Sequence, residues 1–339
     1  MGRDRRHILV LRFSALGDVA ALSSVLMARA ADNPDVDFTV LTNQMLAPLF
    51  EGAANVRVLP VNKKQSTWRT FLDLKRLRPD HVADEHGVIR TFLIRTLFFI
   101  SGTPVHYIHK RRMARRRLAR RRNKRIEPVR PMWRLYDDVL RKCGLKGELS
   151  PEPLIEALPV QDGKLRIGIA PFARYEGKTW PVEKMDTLVR MLSEREDCSV
   201  WLFGGPGDRA LFEGWAAKYS GVVNVAGQGS FARELELIGG LNVMISMDSA
   251  NMHFASRLGV PVISLWGATH PDMGFYGWRQ RPEWAVQCGL SCRPCSVYGK
   301  KPCWKGTYEC MRSITPETVL EKIISMFYPS SGNRRTDSV

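Results

Sequence analysis

The chain has 339 residues and a mass of 38.5 kDa, too long for one ordinary core and enough for two domains of about 150 to 180 residues. With 44% apolar, 25% charged and 9% aromatic residues, the composition excludes wholesale disorder. No uncharged apolar run reaches the roughly 18 to 20 residues that span a bilayer, and the best stretch, residues 91–100, is interrupted by Arg95.

Residues 8–12 form a short, nearly all-apolar run of the kind buried on both faces of a parallel sheet, and residues 18–31 then read as a helix. The basic start followed by Ile8-Leu9-Val10-Leu11 imitates a signal peptide, but Arg12 and Asp18 cut it short, so the expectation is a cytoplasmic protein. Strand-like runs at 37–41 and 56–59 precede helical patterns at 68–77 and 89–100, an alternation that implies an open α/β domain.

Lys and Arg outnumber Asp and Glu by 51 to 34, a net +17 that attracts polyanions. Between His109 and Arg125 lie eleven Lys and Arg residues and no acid, so the rest of the chain carries only +6 of the +17. Met113, Ala114, Leu118 and Ala119 would line one narrow stripe of a basic helix in this segment. Such a helix suits an anionic membrane surface, where each Lys or Arg contributes on the order of 1 kcal/mol, or a nucleic-acid backbone; a solvated loop is the bland alternative.

The stretch 144–163 contains Pro151, Pro153 and Pro159 among polar residues and reads as a linker. Strand patterns resume at 165–170, 199–203, 222–225, 243–247 and 261–265, with helical patterns at 182–195, 208–219, 231–237 and 249–258. A last helix at 317–327 is capped by Thr315 and opened by Pro316. The expected organisation is an N-terminal domain over 1–150 that includes the basic segment 109–125, and a C-terminal domain over 164–312. A helix within 313–328 packs back towards the first domain, and the tail 329–339 is disordered.

Four loops at strand ends carry the candidate chemistry. After the first strand, Ser14, Gly17 and Asp18 form a tight turn into a helix; on spacing alone Asp18 reads as a helix-starting acid. In the second half, Arg174 and Lys178 offer two cations for a diphosphate, or stand on a solvated connector. Gly204 and Gly205 permit close backbone approach, or form an ordinary turn. Asp248, Ser249, Ala250, Asn251 and His253 follow an apolar strand at a helix N-terminus, where free N–H groups suit a phosphate; cap and core roles are the bland reading. No G-x-G-x-x-G or P-loop is present, so nucleotide-cofactor readings, including an NAD-dependent enzyme, are disfavoured.

In order and spacing, these loops resemble those of family 9 glycosyltransferases, the ADP-heptose:lipopolysaccharide heptosyltransferases. The resemblance rests on Arg12-Phe13-Ser14-Ala15-Leu16-Gly17-Asp18, Asp84-Glu85-His86-Gly87, Gly177-Lys178-Thr179-Trp180-Pro181, Phe203-Gly204-Gly205, Met247-Asp248-Ser249-Ala250-Asn251-Met252-His253 and Leu265-Trp266-Gly267-Ala268-Thr269. It implies an α/β GT-B fold of two facing Rossmann-like domains, with acceptor on the N-terminal and sugar nucleotide on the C-terminal side. It also implies inverting transfer without a metal cofactor, Asp18 as general base, Lys178 on the diphosphate, Asp248 on donor hydroxyls and His253 in support. ADP-heptose would be the donor and a lipopolysaccharide inner-core saccharide on lipid A the acceptor. Where the family often carries Thr-Thr ahead of the lysine, this chain has Ala173-Arg174, and Ser249-Ala250 stands in place of Thr-Gly.

On that reading Arg111, Arg112, Arg115, Arg116 and Arg120 meet acceptor phosphates or the inner face of the inner membrane, and no nucleic acid is expected. Cys288, Cys292, Cys295, Cys303 and Cys310 contain one C-x2-C pair but no second. Structural thiols or a disulfide are weighted above a structural zinc site. The rival reading is a nucleic-acid-binding protein that uses the Arg-rich segment and a cysteine-held zinc.

Overall fold

The computed structural model describes residues 5–62, 64–121, 124, 127–150, 152–157, 160 and 163–328. The expected disordered tail, 329–339, lies outside the described residues. Two compact units emerge, one comprising Met1–Arg112 with Val129–Glu152 and the other Met113–Pro128 with Pro153–Val339.

In chain order the first elements are β1 (Arg6–Leu11), α1 (Leu16–Asp32), β2 (Val36–Thr42), β3 (Val56–Pro60), α2 (Thr67–Lys75), β4 (His81–Asp84), α3 (Ile89–Ile100) and β5 (Val105–Tyr107). Next come α4 (Arg112–Leu118) and α5 (Met132–Lys142). The first unit holds one parallel sheet in the order β3-β2-β1-β4-β5. Helices cover both faces of such a sheet, so Ile8, Leu9, Val10 and Leu11 are all fully buried and the central strand is apolar without alternation.

The chain continues through β6 (Leu165–Ala170), α6 (Val182–Ser193), β7 (Cys198–Leu202), α7 (Arg209–Lys218), β8 (Val222–Asn224), α8 (Phe231–Gly239), β9 (Val243–Met247) and α9 (Ala250–Arg257). It ends with β10 (Val262–Trp266), β11 (Ala285–Gln287), α10 (Glu309–Arg312) and α11 (Pro316–Phe327). The second sheet is parallel in the order β11-β10-β9-β6-β7-β8. The order reverses between β1 and β4 in the first unit and between β9 and β6 in the second, and such reversals open ligand crevices at the carboxyl ends of the flanking strands.

Helix α11 packs against α6 and β10 and places Val319 and Ile323 in the core of the second unit, where its apolar stripe is buried. Two expectations differ from what is found. Residues 113–128 group with the second unit although they lie in the sequence range assigned to the first. Finally, α4 buries Arg115 and Leu118 while Met113 and Ala114 are exposed, so only part of the expected apolar stripe is packed. Arg115 donates from Nε to the Met273 carbonyl at 2.7 Å and lies 4.6 Å from the Phe275 ring centre, contacts that accompany the burial of its stem. Among the described residues, no helix is long and apolar enough to cross a membrane.

The first unit is tied together by a buried ion pair. Arg29 of α1 is fully buried; its Nε meets Asp137 of α5 at 2.6 Å and its Nη1 donates to the carbonyls of Lys146 and Gly147 at 2.8 Å each. Removing one partner of such a pair strands a charge, so Asp137→Ala should lower stability by about 3–5 kcal/mol in urea unfolding. The double change Arg29→Met with Asp137→Leu should recover most of that loss, and equal losses for both variants would show that the charges themselves carry little.

Candidate functional site

In the first unit the chain leaves the apolar β1 at Arg12, which is 2% exposed. Buried there, the guanidinium must satisfy its donors locally. It donates to the Glu85 carbonyl just beyond β4, pairs with Asp18 at 2.8 Å and lies 5.6 Å from the Tyr136 ring centre. Asp18 sits in the first turn of α1, favoured by the helix dipole, and its other oxygen accepts the Tyr136 hydroxyl at 3.2 Å. The Asp18 side chain is still 38% exposed, so the carboxylate is oriented from behind and open in front.

The loop after β4 is closed by Asp84, whose Oδ1 accepts from the backbone N–H groups of His86 and Gly87 at 3.0 and 2.9 Å and whose Oδ2 pairs with Arg95 at 3.1 Å. Burial, with Arg12 and Lys110 adding to it, lowers the His86 pKa to about 4, so this imidazole is neutral. Burial and then Arg12 lower the Lys110 pKa to about 8. Glu85 is fully buried, and both its carboxyl oxygens lack a hydrogen-bond partner among the described residues. Desolvation raises its pKa well above the ordinary carboxylate value, against the opposing pull of Arg12.

In the second unit, the loops after β6 and β9 meet at the reversal of strand order. Lys178 Nζ pairs with Asp248 Oδ2 at 2.8 Å and also donates to the Asp248 carbonyl at 2.9 Å. Thr269, beyond β10, donates to the same Oδ2 at 2.8 Å. Gly299 makes room for the lysine stem: a Cβ there would lie 2.6 Å from Lys178 Cγ, and the residue has φ +75°. Ser249 precedes α9, and its hydroxyl lies 3.2 Å from that of Ser246. Ala250 opens the helix, while the buried Asn251 Oδ1 has no hydrogen-bond partner among the described residues. His253 is half-buried one turn further on.

The remaining expected residues are placed as follows. Gly204 follows the end of β7, where a Cβ would come within 2.7 Å of Asp208 Oδ2, and the Gly205 N–H donates to that same oxygen at 2.8 Å. Arg174 is exposed and lies 5.5 Å from the Tyr175 ring centre. Beside Asp18, Ser14 is exposed and Gly17 half-buried; Arg111, Arg112, Arg116 and Arg120 are exposed, whereas Arg115 is buried and unavailable to an acceptor or a membrane. Sequence reasoning gave no role to Arg12, Tyr136, Lys110 or Thr269. Arg12 had a signal, as a charge directly after an all-apolar strand; Tyr136 lies 118 residues from its partner and had none.

All seven cysteines are free thiols. Cys292, Cys295, Cys303 and Cys310 line a cavity of about 50 Å³. Among the described residues no three of the late sulfurs come within 4.8 Å of one another, so the zinc expectation is not supported. The loop is held instead by Arg293, which donates to the carbonyls of Gly267 at 2.6 Å and Thr269 at 3.1 Å.

Residues 148–303 match the family described as Glycosyltransferase family 9 (heptosyltransferase). Lipopolysaccharide heptosyltransferase 1 of Pseudomonas aeruginosa is 28% identical over 321 residues, covering 88% of this chain and 87% of that protein. The fold matches that of Escherichia coli ADP-heptose lipopolysaccharide heptosyltransferase II, with a TM-score of 0.67 at 21% identity over 94% of this chain and 98% of that one. E. coli heptosyltransferase WaaC, solved with ADP-2-deoxy-2-fluoro heptose, gives a TM-score of 0.65 at 16% identity with the same coverages. The fold is therefore the α/β GT-B-like fold of these enzymes.

The raised Glu85 pKa has a consequence for stability. Above about pH 4.5 the unfolded chain releases the Glu85 proton that the folded chain retains, so this group's contribution to stability declines as pH rises. Glu85→Gln, neutral in both states, should gain melting temperature relative to the parent on going from about pH 4.5 to pH 8. A difference that is flat over that range would mean that Glu85 titrates alike in both states.

Proposed function

We propose that the chain is a glycosyltransferase of family 9 that transfers heptose from ADP-L-glycero-β-D-manno-heptose to a hydroxyl of the lipopolysaccharide inner core, either Kdo-lipid A or an already heptosylated core. The observation that carries this reading is the placement of the resemblance's key residues at the two strand-order reversals: Asp18 in one unit, Lys178 with Asp248 in the other. Asp18 takes the proton from the acceptor hydroxyl as its oxygen attacks the anomeric carbon, and the donor inverts as ADP leaves. Arg12 and Tyr136 fix the orientation of both carboxylate oxygens. Negative charge developing on the diphosphate meets Lys178 and the N-terminus of α9, with no metal cofactor in this scheme.

A lipid-linked acceptor brings the enzyme to the inner face of the inner membrane. Two features support peripheral attachment there. Arg111, Arg112, Arg116 and Arg120 are exposed, and α3 presents Ile89, Phe92, Leu93, Phe99 and Ile100 outward while Ile94 and Phe98 are buried. A surface helix apolar on both faces suits an interface with acyl chains. The nucleic-acid reading loses its zinc component with the free late thiols.

Two substitutions separate chemistry from binding. Asp18→Asn should retain ADP-heptose affinity while turnover falls by roughly 10²-fold or more; near-parental turnover would remove Asp18 from the chemistry. Lys178→Ala should weaken ADP binding by calorimetry, and unchanged affinity would reject a diphosphate contact.

A further inference from the structure

A second cluster of ligating side chains lies in the first unit, at the other end of the sheet from Asp18. His81 is the first residue of β4, and His106 is the middle residue of β5. The register pairs Ala83 with His106, and two-residue alternation puts His81 on the same sheet face as Ala83. The two imidazoles stack there, with centroids 5.6 Å apart and planes at 24°. Helix α5 packs against β4 and β5, and Cys143, the residue that ends it, is fully buried. One ligand atom from each of His81, His106 and Cys143 lies within 4.8 Å of the others. His81 Nδ1 and His106 Nε2 are buried with no hydrogen-bond partner among the described residues, an unusual state for a polar atom denied water.

We propose that His81, His106 and Cys143 form a binding site for a zinc-like transition-metal ion. Two imidazole nitrogens and one thiol are a borderline-soft donor set that favours such ions over Mg²⁺ or Ca²⁺. Metal–nitrogen bonds of about 2.0–2.1 Å and a metal–sulfur bond of about 2.3 Å place tetrahedral ligand atoms some 3.3–3.8 Å apart, so the cluster closes by about an ångström around the ion. Binding replaces the Cys143 thiol proton by the metal and releases it to solvent as one H⁺, leaving a thiolate. That negative charge also offsets the nearby Arg6 and Lys142, whose fields fall on the imidazoles. Both histidines are only half-buried, so water can take a fourth position.

The ion would pin the end of α5 to β4 and β5. Helix α5 also carries Tyr136, which touches Asp18, and Asp137, which holds Arg29. The site is thus structural, and it stands independently of which sugar the enzyme transfers.

The test uses the reduced full-length chain, stripped with a chelator and loaded with Co²⁺ or Zn²⁺. The expected Co²⁺ spectrum has a thiolate charge-transfer band and tetrahedral d–d bands; Cys143→Ser should lose the first, and His81→Ala and His106→Ala should each lose one equivalent of metal. X-ray absorption at the zinc edge of the unsubstituted protein, which needs no variant to fold, should show two imidazole nitrogens and one sulfur. Four sulfurs around the ion would place it on the late cysteines and overturn the proposal. So would failure of the unsubstituted chain to retain metal, or parental stoichiometry and spectrum in both histidine variants.

Discussion

The reversal of strand order within each parallel sheet is the constraint on which the rest of the molecule depends. Helices that follow the two strands flanking a reversal leave on opposite faces, so the carboxyl ends of those strands are not capped by a crossing connection. In the first unit these are the ends of β1 and β4, and in the second those of β6 and β9. The carboxyl-terminal halves of β1 and β9 are uncharged, and charge begins as soon as those strands end. Leu11 is followed by Arg12, and Met247 by Asp248. Each crevice is therefore lined by ionised groups that hold their position from a rigid sheet and not from a mobile loop.

The two crevices use the same kind of ion pair in different ways. Asp248 is almost sealed, at 5% exposure, and its Oδ2 is shared by Lys178 and Thr269. Such an acid aims a lysine and holds a fixed geometry. Asp18 is paired just as closely but remains 38% exposed, with the buried Arg12 behind it. Only the second arrangement leaves a carboxylate substantially exposed. Burial, with the field of Arg12 added to it, keeps His86 neutral and brings the Lys110 pKa down to about 8. The imidazole near Asp18 thus does not compete as a cation.

The sequence was most readable where periodicity and burial coincide. Residues 89–100, 165–170 and 243–247 were read with the bounds of α3, β6 and β9, since a long helix or a doubly covered strand leaves an unbroken signature. Strands β4, β5 and β11, of three or four residues, go unread, whereas the equally short β8 lies within the run read at 222–225. Helix α5 was passed over although its buried face, Met132, Leu135, Tyr136, Val139 and Leu140, has clear helical spacing, because it follows the basic run and Pro131. In the sites, local motifs marked Asp18, Lys178 and Asp248. Thr269 lay within a quoted motif without a role of its own, while Tyr136 comes from a distant part of the chain and only the fold brings it in. The His81, His106 and Cys143 cluster was invisible for the same reason, with no ligand spacing to read along the chain.

The basic segment shows how far net charge can be read as function. Eleven cations without an acid read as one polyanion-binding surface, yet the fold spends several of them internally. Arg115 is buried against Met273 and Phe275, Arg121 lies 5.5 Å from the Trp304 ring centre, and Lys124 donates to the carbonyls of Cys292 and Pro294 at 2.8 Å each. These three tie residues 115–121 and 124 to the rest of the second unit, and Lys124 in particular satisfies carbonyls of the cysteine-containing loop that would otherwise need water. The exposed arginines between them are then presented on a segment with a fixed seat. A polyanion would meet a positioned row of guanidinium groups, which lose less entropy on binding than a free arm would.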